Sequence, residues 1–287
     1  MSITTSQQIN RYFDLYKDAE ITFNTQVIQV LGLLVKQLYL KCASYMYPCL
    51  LYSSSMVGAK VIAHLRPAAL QNLRNANNLV SLHVAFKIKD KVDPLSLFIS
   101  VKLISSTPYN QENPDMFILS LAYTQKPPDD LIEILGKLLE ANINAKRRKE
   151  ARILITPESL KVIGLNSRES LVTIGREPRK CLIRDLSFSG AKILFMGQIK
   201  ELVGQETVLE IPLKDQEPIK IPGVIIRYEE VQDRNDIAAI AILFAEDKIP
   251  MVYKLHINEY LRVPRYGSSL IHSPQAGQSE NNKTKEG

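Results

Sequence analysis

The spacing of hydrophobic and polar residues changes several times along the chain, between the periods typical of helices and of strands. Near the start, Ile9, Tyr12, Phe13 and Tyr16 recur at helical spacing, which predicts a short amphipathic helix. Short runs rich in β-branched and aromatic residues then follow one another, as is typical of strands. They predict about six strands, at residues 25–30, 37–43, 56–64, 79–89, 95–104 and 115–123. Such a succession favours a small antiparallel barrel or sandwich.

Two helical segments are predicted around these strands. Residues 66–73 are expected to form one or two helical turns with Pro67 near the start, whereas residues 105–114 have turn chemistry throughout. The clearest helix follows Pro128, because its apolar positions fall on one face. Its first turn is acidic and the basic run 146–149 follows its last turn, as the helix dipole favours. We expect two domains to join at this basic run.

Strand-like runs recur beyond the basic run and predict a second barrel. A closing helix is expected to begin near Asp247 and to extend through Leu261. Residues 264–287 are polar with little to bury, so we expect this tail to be disordered. The predicted strands are 151–156, 171–175, 180–185, 191–195, 207–211, 219–228 and 237–244.

Length and composition agree with two folded domains. A chain of 287 residues with 45% hydrophobic residues can bury two ordinary cores. The formal charge of +6 favours an anionic partner without identifying it. Cys42, Cys49 and Cys181 contain no CxxC pair, so neither a disulfide framework nor a zinc site is indicated and a cytoplasmic location is expected. The longest apolar stretch, 27–35, is too short for a membrane span.

Two short patterns stand out in the second half. Arg148 and Arg152 form RxxxR, and Asp185, Ser187 and Gly190 form DxSxxG. The first pattern is expected where a helix ends and a strand begins, and the second at the turn between two strands. RxxxR alone carries little information in a basic protein, so the evidence lies in the pairing and position of the two patterns.

Together these patterns resemble the paired signature of the PilZ domain, over residues 146–261. The resemblance implies a six-stranded β-barrel that binds cyclic di-GMP and is not an enzyme. The first half carries neither pattern, but its strand count is similar to that of two-domain members of the family, in which a divergent PilZ-like barrel comes first. The expected fold is therefore mainly β, with two antiparallel β-barrels, flanking α-helices and a helical, basic linker.

The expected boundaries follow from this comparison. They are an N-terminal PilZ-like barrel at 1–140, a basic linker at 141–152, a C-terminal PilZ domain at 153–263 and the tail at 264–287. Two departures from the family pattern are visible. The stretch that contains residues 157–178 is longer than usual, and Ala239 and Ala241 stand where a glycine is common.

The chemistry of the ligand agrees with the residue types of the signature. Cyclic di-GMP has two phosphodiester anions and two guanines, and an arginine fork can bind a phosphate or the O6 and N7 edge of guanine. The resemblance assigns Arg148 and Arg152 to the ligand. It implies that Asp185 accepts hydrogen bonds from guanine N1 and N2 or orients an arginine, and that Ser187 offers its hydroxyl to the base edge. Gly190 permits a tight turn and a close approach of the ligand.

The same residues also have structural interpretations. A basic run is often a solvated helix end, and a DxS sequence often makes an Asx-type turn without any ligand. Arg147 precedes the signature, and an extra basic residue there is associated in the family with two stacked dinucleotides. The predicted cyclic di-GMP site comprises Arg147, Arg148, Arg152, Asp185, Ser187 and Gly190.

Other chemistry finds little support in the sequence. The histidines have no HExxH or paired-cysteine companion, so no metal and no cofactor is predicted. The motifs of hydrolases, P-loop proteins and dinucleotide-dependent enzymes are missing, so no catalysis is predicted.

Two alternatives stay open beside the receptor hypothesis. One is a basic barrel that binds RNA or single-stranded DNA. The aromatic content argues against it, because it is only 7% and most Tyr and Phe residues lie inside apolar strand runs, where they are not expected to stack on bases. The other is a PilZ-fold scaffold that does not bind nucleotide. As a receptor, the protein is expected by family analogy to change its interdomain arrangement and to regulate motility, envelope or virulence functions through an unidentified protein partner.

Overall fold

The computed structural model describes residues 5–88, 91–196, 202–214, 217–231 and 234–262. In this part of the chain two β-barrels follow one another, with helices between and beside them. The expected fold class, mainly β with two antiparallel barrels and flanking helices, is confirmed. The tail 264–287, predicted to be disordered, lies outside the described residues.

The first barrel has six strands of four or more residues and a two-residue strand at its start. These are β1 (Ile21–Thr22), β2 (Tyr39–Cys42), β3 (Tyr45–Ser54), β4 (Gly58–His64), β5 (Leu79–Phe86), β6 (Leu95–Pro108) and β7 (Met116–Tyr123). Around the barrel the order is β3-β2-β5-β6-β7-β4, and β4 pairs again with β3. Closure leaves no open sheet edge among these six strands, and β1 pairs with the end of β3.

The second barrel repeats this topology strand for strand. Its strands are β8 (Ile153–Leu154), β9 (Glu169–Ile174), β10 (Glu177–Leu186), β11 (Gly190–Met196), β12 (Glu206–Ile211), β13 (Ile219–Val231) and β14 (Arg234–Phe244). The order β10-β9-β12-β13-β14-β11 closes through the β10–β11 pairing. The short strand β8 pairs with the end of β10, as β1 does with β3.

Six α-helices accompany the barrels in the described residues. They are α1 (Ser6–Tyr16), α2 (Thr25–Leu31), α3 (Pro67–Asn75), α4 (Asp129–Arg147), α5 (Pro157–Ile163) and α6 (Met251–Arg262). The long helix α4 has Asp129 and Asp130 in its first turn and Lys146 and Arg147 in its last, as predicted from the helix dipole. It runs through the first part of the predicted linker, 141–152, and ends where the RxxxR pattern begins.

Each barrel has its own hydrophobic core, and α6 contributes to both. Tyr253, Ile257 and Tyr260 of α6 belong to the core of the second barrel. Met251, at the start of the same helix, belongs to the core of the first barrel, and Leu255 packs against it. One helix therefore packs against both barrels and connects them through apolar contacts.

The strand predicted at residues 25–30 is wrong, because this segment is the helix α2. The Asn24 side chain accepts a hydrogen bond from the Val27 N–H and caps the helix at its start. Gly32 ends it in the left-handed conformation, at φ 63°. These two caps outweigh the strand preference of the β-branched residues between them.

The sequence prediction also missed strand β3. Apolar residues occur on both faces of this strand, since Cys49 and Leu51 are buried whereas Leu50 and Tyr52 are exposed. The alternation of polar and apolar residues that marks a half-buried strand is therefore hidden. Pro48, which disfavours an interior strand, stands near its start.

Candidate functional site

The RxxxR pattern lies on the segment between α4 and β8. Arg147 is the last residue of α4, Arg148 is its C-cap, and Arg152 directly precedes β8. All three arginines are exposed. The sequence prediction that this pattern lies where a helix ends and a strand begins is confirmed.

The DxSxxG pattern forms the turn between β10 and β11, also as predicted. The Ser187 N–H donates to the Gly190 carbonyl at 2.8 Å, and the Gly190 N–H donates to Ser187 Oγ at 3.1 Å. The Ser187 residue is only 3% exposed, so its hydroxyl stabilises the turn from within. A Cβ on Gly190 would lie 2.2 Å from the Ile242 carbonyl oxygen. Glycine is needed there because β14 passes so close.

The two patterns meet although they are far apart in the chain. Arg152 Nη1 donates to Asp185 Oδ1 at 3.0 Å. The cause is the pairing of β8 with β10, in which Leu154 lies opposite Asp185. Ser189 Oγ, in the turn, donates to the carbonyl of Lys149 at 2.9 Å, so the basic segment is attached to the turn at a second point.

Burial sets the electrostatics of the acidic residue in this site. The Asp185 side chain is 13% exposed, and burial raises the pKa of its carboxyl above the ordinary value. The positive charge of Arg152 opposes this rise. The ion pair contains one half-exposed guanidinium and one nearly buried carboxylate. Asp185 thus holds Arg152 at the surface, where about half of the arginine side chain is exposed.

Further basic residues surround the segment. Lys149 Nζ lies 2.8 Å from Glu246 Oε2, in the turn that precedes α6. Burial lowers the pKa of Lys254, and the charge of Lys146 adds to that effect. The segment is therefore strongly basic, and the carboxylates of Asp185 and Glu246 pair with two of its basic residues.

Tyr253 is a site residue that the sequence analysis missed. Its hydroxyl donates to the Ser187 carbonyl at 2.6 Å, and the residue is 1% exposed. Burial, together with the nearby charge of Asp185, raises the pKa of Tyr253. The apolar pattern of the closing helix predicts a buried tyrosine here, but nothing in the sequence indicates its partner. Tyr253 connects the DxSxxG turn to α6.

The first barrel has a counterpart of this site with the charge reversed. Ser53 occupies the register position of Asp185, since each pairs with the short strand that opens its barrel. The residue before β1 is Glu20, whereas the residue before β8 is Arg152. Glu20 accepts hydrogen bonds from Ser53 and Lys60. A carboxylate at this position repels a phosphodiester, whereas an arginine attracts it.

Several aromatic side chains lie on the surface of the first barrel. Tyr45, Tyr52, Phe98 and Tyr109 are between 44% and 58% exposed. Phe98 packs at 4.5 Å, centroid to centroid, on His83. Phe98, which lies inside a predicted strand run, is therefore exposed contrary to that interpretation, whereas the low aromatic content of 7% stands.

The described part of the chain offers no group of three or more His, Cys, Asp or Glu placed to hold a metal ion. All three cysteines are buried and free. Among the helices of the described residues, none is both long and apolar enough to cross a membrane.

Comparison with known proteins assigns the family. The PilZN3 domain matches residues 7–142 and the PilZ domain matches residues 146–262. The chain belongs to the PilZ family, with a PilZN3 domain before a PilZ domain. It is 40% identical over 270 residues to the "Cyclic di-GMP binding protein" of Treponema denticola. The aligned region covers 94% of this chain and 86% of that protein.

Solved structures were also matched. The PlzA protein of Borreliella burgdorferi in complex with c-di-GMP is 27% identical, with 89% of this chain and 98% of that chain covered and a TM-score of 0.41. The MrkH complex with c-di-GMP from K. pneumonia is 10% identical, with 85% and 96% covered and a TM-score of 0.30.

Proposed function

We propose that this protein is a receptor for cyclic di-GMP. The observation that carries the proposal is the contact between the two signature halves, through the Arg152–Asp185 ion pair at 3.0 Å. It places exposed arginines and a carboxylate at one surface of the second barrel. The relative from Treponema denticola, named for cyclic di-GMP binding, supports the same ligand.

Each residue of the site has a role in this proposal. Arg148 and Arg152 bind phosphate or the O6 and N7 edge of a guanine through their guanidinium forks. Asp185 orients Arg152 and accepts from guanine N1 and N2. Ser187 and Gly190 act through the shape of the turn, because both are buried within it. Arg147, exposed at the end of α4, extends the basic surface toward a second dinucleotide.

The receptor hypothesis extends to the whole molecule. Cyclic di-GMP binds the segment between the barrels and thereby changes their arrangement, provided that it has different affinity for the two arrangements. The rearranged protein then acts in the cytoplasm on a protein partner, in control of motility, envelope or virulence functions. No catalytic step is part of this function.

Replacing either signature arginine tests the proposal. Arg148→Ala or Arg152→Ala removes a charge-assisted hydrogen bond of about 1.5–3 kcal/mol, so we expect affinity to fall by about ten- to a hundredfold. Isothermal titration calorimetry with cyclic di-GMP measures this directly. The matched control is Arg176→Ala, because Arg176 is exposed at the other end of β10.

The control should bind like the wild type. Equal affinities of all three variants would contradict the assignment of the site. A folded wild-type protein that ignores cyclic di-GMP at high micromolar concentration would remove the receptor hypothesis altogether.

Nucleic-acid binding is the second candidate, favoured by the exposed aromatic side chains of the first barrel. The same titration separates the two functions when salt is varied. Binding to a polynucleotide weakens steeply with salt because many counterions are released, whereas a compact site for two phosphates has a shallow dependence. Tight binding of single-stranded RNA or DNA with a steep salt dependence would favour this alternative.

A further inference from the structure

A row of residues crosses the outer face of the second barrel beside the candidate site. Asp185 on β10 lies opposite Lys192 on β11, in the register of these strands. Lys192 lies opposite Ala241 on β14, and Ala241 lies opposite Arg227 on β13. Paired residues of antiparallel strands are about 4.5–5.5 Å apart at Cα. The surface of the site thus continues from Asp185 across three strands to two basic residues outside both motifs.

The middle of this row is flat because alanines occupy it. Ala239 and Ala241 are buried, yet they are not part of the core, where Ile240 and Ile242 lie. Side chains alternate between the faces of a strand, so the two alanines face outward beneath longer neighbours. The methyl groups of these alanines therefore form a shallow floor between the longer side chains.

Glu229 binds the two basic residues in the structure. Lys192 Nζ donates to Glu229 Oε2, and Arg227 Nη1 donates to Glu229 Oε1 at 3.4 Å. The Lys192 side chain is 17% exposed and that of Glu229 is 39% exposed. The hydrogen bond from Lys192 lowers the pKa of Glu229, so the carboxylate stays charged at neutral pH. An anion that approaches Lys192 must therefore compete with Glu229.

We propose that Lys192 and Arg227 form a second anion-binding pair in the same site, and that Glu229 competes with the ligand for them and so lowers its affinity. This inference rests on the proposed function, since the ligand is taken to be cyclic di-GMP. The ligand has two phosphates, and the signature arginines lie on one side of Asp185, next to β8. Lys192 lies on the other side of Asp185, where the second half of the ligand has no partner in either motif. When the ligand binds, Lys192 and Arg227 release the carboxylate of Glu229 and bind a phosphodiester of the ligand instead.

Calorimetric titration of full-length variants with cyclic di-GMP tests the inference. Lys192→Gln should weaken binding by about ten- to a hundredfold, as expected for a charge-assisted hydrogen bond. Glu229→Gln should strengthen binding by about two- to fivefold, which corresponds to the loss of a partly exposed ion pair. In the double variant that combines Lys192→Gln with Glu229→Gln, the change at Glu229 should raise the affinity less than it does in the single variant, because Glu229 acts mainly by occupying Lys192.

The second barrel offers a matched control pair. Lys220 Nζ lies 3.2 Å from Glu210 Oε1, near the start of β13 and away from the row. Lys220→Gln and Glu210→Gln change the net charge of the protein by the same amounts, so we expect both to bind like the wild type. Lys192→Arg keeps the charge and should retain most of the affinity. Thermal unfolding of each variant shows whether it is folded.

The outcomes separate this inference from the proposed function. If the wild type binds cyclic di-GMP and folded Lys192→Gln binds as tightly as Lys220→Gln, the second pair does not exist, although the receptor proposal stands. If Glu229→Gln binds no more tightly than Glu210→Gln, Glu229 does not compete with the ligand. A wild type that does not bind overturns both proposals.

Discussion

At the scale of single residues, the burial of the Asp185 carboxyl affects the stability of the fold. Burial raises its folded-state pKa, so the native protein holds this proton more tightly than the unfolded chain does. Its stabilising contribution is therefore present below the unfolded pKa of about 3.9 and is lost as pH rises through the folded pKa. Near neutral pH the ionised carboxylate destabilises the fold, although it is needed to orient Arg152.

Substitution of this carboxylate separates binding from stability. We expect Asp185→Asn to raise the melting temperature near pH 7 and to weaken cyclic di-GMP binding. The gain in melting temperature should disappear below the unfolded pKa of about 3.9, where aspartate is neutral in both states. Differential scanning calorimetry across this pH range measures the effect, with the exposed Asp247→Asn as the control. A lower melting temperature near pH 7 would mean that the Arg152 ion pair outweighs the burial.

The residue types of the site were accessible to sequence reasoning, but their contacts were not. Arg152 and Asp185 could be named from their motifs because both stand in short, recognisable patterns. Lys192 and Glu229 belong to no pattern, and only the register of β11 with its neighbours places Lys192 beside Asp185. The hydroxyl of Ser187 was expected to face the base edge, and the structure places it within the turn.

At the scale of elements, α6 supports the DxSxxG turn. Its Tyr253 donates to the Ser187 carbonyl, so a buried hydrogen bond attaches the turn to the helix. The helix packs against α4 and α5 and reaches α2 of the first barrel. The turn is thus connected to the region between the barrels by one element.

Removing the Tyr253 hydroxyl measures the strength of this support. Tyr253→Phe leaves the buried Ser187 carbonyl without its donor, and we expect a loss of about 1–3 kcal/mol in the free energy of unfolding. Urea unfolding followed by circular dichroism gives this value. Tyr109→Phe is the control, because Tyr109 is 49% exposed. A loss no greater than in the control would show that the hydroxyl does not stabilise the turn.

At the scale of the whole molecule, Glu140 of α4 connects both domains. Its Oε2 accepts hydrogen bonds from the Tyr12 hydroxyl of α1 at 3.3 Å and from Asn258 Nδ2 of α6 at 3.2 Å. Arg262 Nε of α6 lies 3.1 Å from the same oxygen. The ion pair is nearly buried, at 18% and 14% exposure, so any change in the arrangement of the barrels must keep or break this cluster.

This cluster gives the proposed rearrangement a test. Glu140→Ala removes the ion pair with Arg262 Nε and leaves Glu259, on the same helix as Arg262, as its acidic partner, so we expect the interdomain contact to weaken by about 1–3 kcal/mol. Small-angle scattering should then change in the variant without ligand, and in the wild type on saturation with cyclic di-GMP. Asp130→Ala on the same helix is the control, since Asp130 is exposed in the first turn of α4. A wild-type profile that is unchanged at saturation would count against rearrangement.

The sequence by itself determined the strand-rich halves, the long helix between them and the two motifs, because periodicity, turn residues and helix charges are local properties. It predicted a strand where α2 forms, because the caps Asn24 and Gly32 outweigh the strand-like composition between them. It also missed β3, because the apolar residues of this strand lie on both of its faces. Only the tertiary structure brought Arg152 to Asp185, Lys192 to Glu229 and both domains to Glu140. These contacts join residues far apart in the chain, and strand order and register, which no local pattern encodes, decide which of them meet.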